Sequence, residues 1–375
     1  IHNSAVAVPG TVTVHAKDTS DIISAAGGIA VAVGVSSQGN GGAGSFGAAF
    51  AVNSIGTDSA DDLVWADVDD STVTAGGDIT IIAESEATIF ALAIGAAGSV
   101  TGSGNGNAIG ISAAGSASVN TIRVNTQARA RNSSELKTQA GTGAAIGLSA
   151  DDDSSIQAVA GAAALSIAVS QNTAVAAGLG LSLTINDIAN TTRAAVEDSG
   201  IIADGAVTVL ADSDAEIDSL AFGIGVSVAI SGNASAIAAN CTGALSFNEI
   251  DNLVEATIRN TTGTATVSAG GALTVTASDD SVIKAIATAA SASVSGSTTA
   301  VSVSVAIGFA LAHNRIDKDV SASLVNLPGV LTNGGDVTVS ATDASTIDAV
   351  TFAAAVAVAF NPGCSPSVGV AGGCS

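Results

Sequence analysis

Five copies of one three-residue phrase fall at nearly even intervals along the chain: Asn53-Ser54-Ile55, Asn120-Thr121-Ile122, Asn186-Asp187-Ile188, Asn248-Glu249-Ile250 and Asn314-Arg315-Ile316. The asparagines stand 67, 66, 62 and 66 residues apart. Self-similarity over so long a period marks a stacked repeat, in which each unit needs its neighbours to bury an apolar face. An isoleucine series keeps the same step, at Ile22, Ile89, Ile156, Ile217, Ile283 and Ile347. The pattern predicts a single array of about six units of about 65 residues. Glycine-containing junctions divide it into 1–9 (partial), 10–75, 76–140, 141–203, 204–269, 270–333 and 334–375 (partial).

Within a unit the apolar residues alternate. Leu220, Phe222, Ile224, Val226, Val228 and Ile230 interleave with Ala221, Gly223, Gly225, Ser227 and Ala229. Period two over this length specifies a strand and not a helix. Ser231-Gly232-Asn233 then turns the chain into a return strand with Ile237, Cys241, Leu245 and Phe247 on its larger face. Aromatic residues are only 2% of the chain, so a core must come from β-branched and very small side chains, which suit pleated sheets. The fold class expected is all-β, an elongated, repetitive β-solenoid-like array. Each strand carries one bulky face and one nearly bare face. The bulky face is expected to form the core. The bare face fits either an inner lining where stacked coils leave little room, or a surface on which another molecule closes.

Charge narrows the classes of partner. The chain has 33 acidic and 10 basic residues, a net −23, which excludes nucleic-acid binding driven by phosphate neutralisation. It suits a surface that repels its own kind until counterions screen it. The apolar stretches are interrupted by Ala, Gly and Ser, so no membrane span is expected.

Groups that could converge on catalysis are scarce. The histidines are His2, His15 and His313, and none sits in a nucleophile or metal motif. Arg123, Arg129, Arg131 and Lys137 cluster in one unit and read as a solvated strand face. Carboxylates recur at turns, as at Asp61-Asp62, Asp151-Asp152-Asp153, Asp212 with Asp214, and Asp279-Asp280. Calcium is the one cofactor such turns would take, with Asp67, Asp69 and Asp70 as candidate ligands. Turn formation by Asp itself is the competing explanation. Cys364 and Cys374 flank a segment rich in turn formers and are expected to pair as a disulfide in an oxidising compartment. Cys241, on the larger face of its strand, is expected to be a core thiol. Asn132, Asn190 and Asn260 begin Asn-x-Ser/Thr sequences at similar points of their units and are the glycosylation candidates.

The string Gly335-Asp336-Val337-Thr338-Val339-Ser340-Ala341-Thr342-Asp343, followed by Ile347-Asp348-Ala349, resembles the repeats of large bacterial leukotoxin-type filamentous adhesins and secreted β-strand-repeat surface proteins. Leu253-Val254-Glu255-Ala256-Thr257-Ile258, after an Asn-x-Ile, is similar to them too. The resemblance covers essentially the whole chain. It implies an extended stalk on an outer surface, concerned with attachment or matrix building, and it brings no catalytic residues. The complete lack of Tyr and the few Lys depart from that pattern, so toxicity is not implied. The function expected is therefore that of an extracellular or cell-surface structural protein. Its partner would be itself, as a filament or biofilm-matrix subunit joined head-to-tail or through small-residue sheet faces. A passive adhesin stalk is the alternative and a β-helix carbohydrate-active enzyme the third reading; no enzyme activity is expected.

Overall fold

In the computed structural model, which describes residues 1–57, 62–261, 266–363 and 365–375, there is no helix among the described residues. Every strand pairing is parallel, and each joins equivalent residues of successive units. The isoleucine series predicted from sequence forms one continuous column: Ile22 is in register with Ile89, then Ile156, Ile217, Ile283 and Ile347.

Four sheets run through the stack, each taking its strands in unit order. The first collects seven-residue strands such as Ile79–Ser85 and Ile146–Asp152. The second collects long strands such as Asp21–Ser36, Ser155–Ser170 and Thr346–Phe360. The chain then turns back into the third sheet, whose strands include Ala174–Ile188 and, after a short interruption, Thr191–Glu197. In two later units that third strand runs unbroken, as Ala236–Arg259 and Ser302–Val325. Short strands such as Glu135–Thr138 and Gly200–Ala203 make the fourth sheet and close the unit.

These sheets make two structurally different parts. At one end the first sheet, the fourth sheet and the tail of the third enclose a prism. Its interior holds Ile79, Leu136, Ile146, Leu148, Ile201 and Val254, all essentially inaccessible. From there the second and third sheets extend as a flange, face to face. Only small residues lie between them, such as Ala91, Ala93, Ala162, Ala164, Ala221 and Ala244. Hydroxyls bridge the gap: Ser166 Oγ donates to the Gly110 carbonyl at 2.8 Å and Ser227 Oγ to the Ala239 carbonyl at 2.8 Å. A Cβ on Gly28 would lie 1.9 Å from the Ala48 carbonyl oxygen. The two sheets touch through their backbones there, and glycine is the residue that permits it.

This corrects the expected orientation of the strands. The small faces turn inward and line the narrow gap, as one of the two sequence readings had it, so they are not surfaces for self-association. The bulky faces do not form the flange core: Ile29, Val31, Val35, Phe46, Phe50 and Val52 are 70–82% exposed. Cys241 is on an outer face as well, in register with Leu179 and Ile307, and its thiol is free. The expected elongation also needs correcting within this chain. Six strands at about 4.8 Å spacing stack to about 24 Å, whereas a sixteen-residue strand reaches about 53 Å. These six layers form a plate whose long dimension lies along the strands.

Candidate functional site

The repeated asparagine has a structural task that its spacing alone did not reveal. Asn53 Nδ2 donates to Asn120 Oδ1 at 2.7 Å, Asn120 to Asn186 at 2.8 Å, Asn186 to Asn248 at 2.7 Å and Asn248 to Asn314 at 2.7 Å. One amide per layer thus hydrogen-bonds the next along the stack, always in the same sense, where flange meets prism. The isoleucine two residues later is buried beside it, at Ile122, Ile188 and Ile250.

A second polar column stands at the corner after the first sheet. Its members, in register, are Asp18, Ser85, Asp152, Ser213, Asp279 and Asp343. Alternation with serine keeps buried carboxylates from stacking directly on one another, where like charges about 4.8 Å apart would repel strongly. Facing this column are Asn190 and Asn252. Asn190 Nδ2 donates to Asp152 Oδ2 at 2.7 Å and to Ser154 Oγ at 2.8 Å. Asn252 Nδ2 reaches Ser213 Oγ at 3.2 Å. Alternation fails only where Asp279 meets Asp343. There Lys318, in register with Asn252, replaces the asparagine and reaches Asp279 Oδ1 at 3.3 Å and also Asp343.

Burial without a cation leaves a mark on Asp152. Desolvation pushes its carboxyl up to about 6 from an ordinary value of 3.8, against the hydrogen bonds from Asn190 and Ser154. Because the folded-state value is the higher one, the folded chain holds this proton between about pH 4 and 6 while the unfolded chain has lost it. Stability from this group is therefore full below pH 4 and falls as pH rises through 6, by about 3 kcal/mol in all. Replacing it with the serine found in alternate layers, Asp152→Ser, is expected to raise the melting temperature at pH 7.5 and to leave it nearly unchanged at pH 4. Equal shifts at both values would exclude the titration of Asp152 as the cause.

The sequence-predicted site residues are placed as follows. Asp67 and Asp69 are on the third-sheet tail, where arginines of the next unit hold them. Arg129 Nη2 lies 3.3 Å from Asp67 Oδ2, and Arg131 Nη2 lies 2.9 Å from Asp67 and 3.0 Å from Asp69. Arg129 also stacks on Trp65, 4.4 Å from the ring centroid. Asp70 sits in a turn with φ 46°. The carboxylates of Asp67 and Asp69 thus face cations of the protein itself, and among the described residues no group of three metal-ligating side chains converges. Asp61 and Cys364 lie outside the described residues. Cys374 ends the strand Ser367–Cys374 with an exposed thiol, free among the described residues.

Of the glycosylation candidates, Asn132 is exposed and donates to Asp69 Oδ1 at 2.6 Å. Asn190 and Asn260 are 3% and 1% exposed. Glycan attachment needs an accessible amide, which these two lack in the folded chain. The arginines of the basic cluster disperse into ion pairs between layers, including Arg123 with Asp187 at 2.6 Å, while Lys137 lies apart on the strand Glu135–Thr138. The histidines also lie apart. His2 contacts Asp69, His15 contacts Glu84, and His313 stands beside Phe247 on an outer face.

The largest unassigned feature is the flange itself. No Asp, Glu, Lys or Arg occurs in segments 22–57, 87–122, 154–186, 219–248, 285–314 or 349–375, so all the charge lies at or beside the prism. Over the second sheet, successive outward columns read Ala25, Leu92, Val159, Leu220, Ile286, Val350 and Val33, Val100, Ile167, Val228, Val294, Val358. Phe222 and Phe309 each lie over a glycine of the adjacent strand. A Cβ on Gly161 would fall 2.1 Å from Phe222 Cζ, and one on Gly243 would fall 2.3 Å from Phe309 Cζ. The rings lie down over the glycines, which keeps the apolar faces level. Sequence reasoning passed over this feature, although the uncharged segments could have been read directly.

No family model, curated protein or solved structure matches the chain.

Proposed function

We propose that the chain is a β-solenoid portion of an extracellular or cell-surface structural protein, acting by assembly with itself and not by catalysis. The observation that carries this reading is the unbroken parallel register from the first layer to the last, with equivalent residues hydrogen-bonded through every unit. Such a stack is a one-dimensional object that continues wherever another layer is supplied, by the same polypeptide or by another copy. Its terminal strands present backbone donors and acceptors along one side, and strand addition satisfies them. The asparagine ladder and the interlayer ion pairs link successive layers, which supports a structural role. An acidic prism that keeps neighbouring stacks apart favours the second reading, the passive stalk of an adhesin.

Concentration supplies the test. Negative-stain images and light scattering of the chain at rising concentration are expected to show end-to-end filaments. Single plates at every concentration would refute head-to-tail assembly.

A further inference from the structure

We propose that two copies pair laterally through the outer face of the second sheet, with their acidic prisms at opposite ends. This rests on the self-assembling reading above but adds a second contact, perpendicular to the stack.

The face is large and uncharged. From Ala25 to Val35 along the strands and across six layers it measures about 33 by 24 Å, or about 800 Å². Pairing it with a second copy would remove about 1,600 Å² from water, the middle of the range for stable interfaces at about 1,200–2,000 Å². The largest apolar patch on an ordinary monomer is about 300–600 Å².

The face is also able to meet itself. Its relief is shallow, with Ala96, Gly98 and Ala163 lying between Val31 on one side and Leu165 and Val226 on the other. A two-fold axis along the stack reverses the strands and sets each layer of one copy against the same layer of the other, so the outward rows that hold Leu165 and Val226 meet their own counterparts, as in an isologous contact.

Electrostatics sets the orientation. Side-by-side prisms would bring together two surfaces that share almost all of a net −23 each. Antiparallel flanges separate them by about 50 Å, several Debye lengths of about 8 Å at physiological ionic strength. A lipid bilayer is a poorer occupant. The edge strands Asp21–Ser36 and Thr346–Phe360 carry backbone groups that hydrocarbon cannot satisfy, whereas a stacked copy leaves these edges in water.

Sedimentation velocity on the chain, at concentrations below those at which filaments form, isolates the lateral contact. The protein is expected to be dimeric at micromolar concentration. Leu165→Glu with Val226→Glu should weaken the dimer by about 100-fold or more, because each places an unpaired carboxylate in the contact. Leu165→Ala, which removes an apolar side chain from the contact, should weaken it by about 10-fold without burying a charge. Leu181→Glu with Leu183→Glu, on the third sheet's outer face, should leave it intact. At higher concentration the Leu165/Val226 variant should still form filaments, now one plate wide. A monomer without the face substitutions overturns the proposal, as does a dimer indifferent to both second-sheet changes. Co-flotation with zwitterionic vesicles and no dimer in their absence would overturn it in favour of a lipid partner.

Discussion

Lys318→Met is expected to lower the melting temperature by about 5–10 °C at pH 7, corresponding to about 3–5 kcal/mol. The lysine is 9% exposed and Asp279 beneath it is fully buried. Removing the cation leaves Asp279 stacked on Asp343 with no compensating charge, and breaking a buried pair costs far more than the pair contributes against an apolar substitute. Asp343 feels the loss directly, since the Lys318 hydrogen bond is what holds its carboxyl below the ordinary value. A second change identifies the mechanism. Lys318→Met combined with Asp279→Ser restores the serine–aspartate alternation and should recover most of the loss, a coupling readable in a double-mutant cycle. Additive losses would show that Lys318 acts through packing alone.

The second large effect is expected at Asn186, in the middle of the amide ladder and 1% exposed. Asn186→Ala strands the Asn248 carbonyl and deprives the Asn120 amide of one acceptor, leaving Ser118 Oγ at 3.0 Å as its remaining partner. Two under-satisfied buried groups and a small cavity amount to about 2–4 kcal/mol. The loss should be concentrated near the substitution, because layers contact only their neighbours. Hydrogen exchange is expected to accelerate in Ala174–Ile188 and the adjacent Ala108–Ile122 and Ala236–Arg259 strands, with the first and last units unchanged. Uniform acceleration across the chain would mean that the array opens as one cooperative body instead.

Much of the fold was legible because repetition exposes it. The spacing of Asn-x-Ile and of Ile22, Ile89 and Ile156 gave the register, and period-two alternation gave the strands. What alternation cannot give is which face turns inward, since a strand with large residues on one side and small ones on the other is equally periodic in both orientations. The ordinary expectation buries the large side. Here the close approach at Gly28 and Ala48 leaves no room for it, and Ile29 and Val31 point outward. Likewise Asp67 and Asp69 look like calcium ligands when read along the chain. The arginines that hold them come from residues 62–64 positions later, a distance local motif reading does not span. Asn190 reads as a glycan acceptor for the same reason, because Asp152, its buried partner, is 38 residues away in sequence.

The serine–aspartate column has a consequence for how such an array can change its length. Layers are not interchangeable bricks, because what occupies the corner of one decides what the next can carry. Excising the unit 204–269 would set Asp152 directly against Asp279, whereas excising 141–269 together would leave Ser85 against Asp279 and the alternation intact. Between Asp18 and Asp279 the corner carboxylates thus impose a parity on the stack. Removing an adjacent pair of layers from that stretch leaves aspartate against serine, whereas removing one serine layer sets aspartate on aspartate, the contact that Lys318 attends where Asp279 meets Asp343.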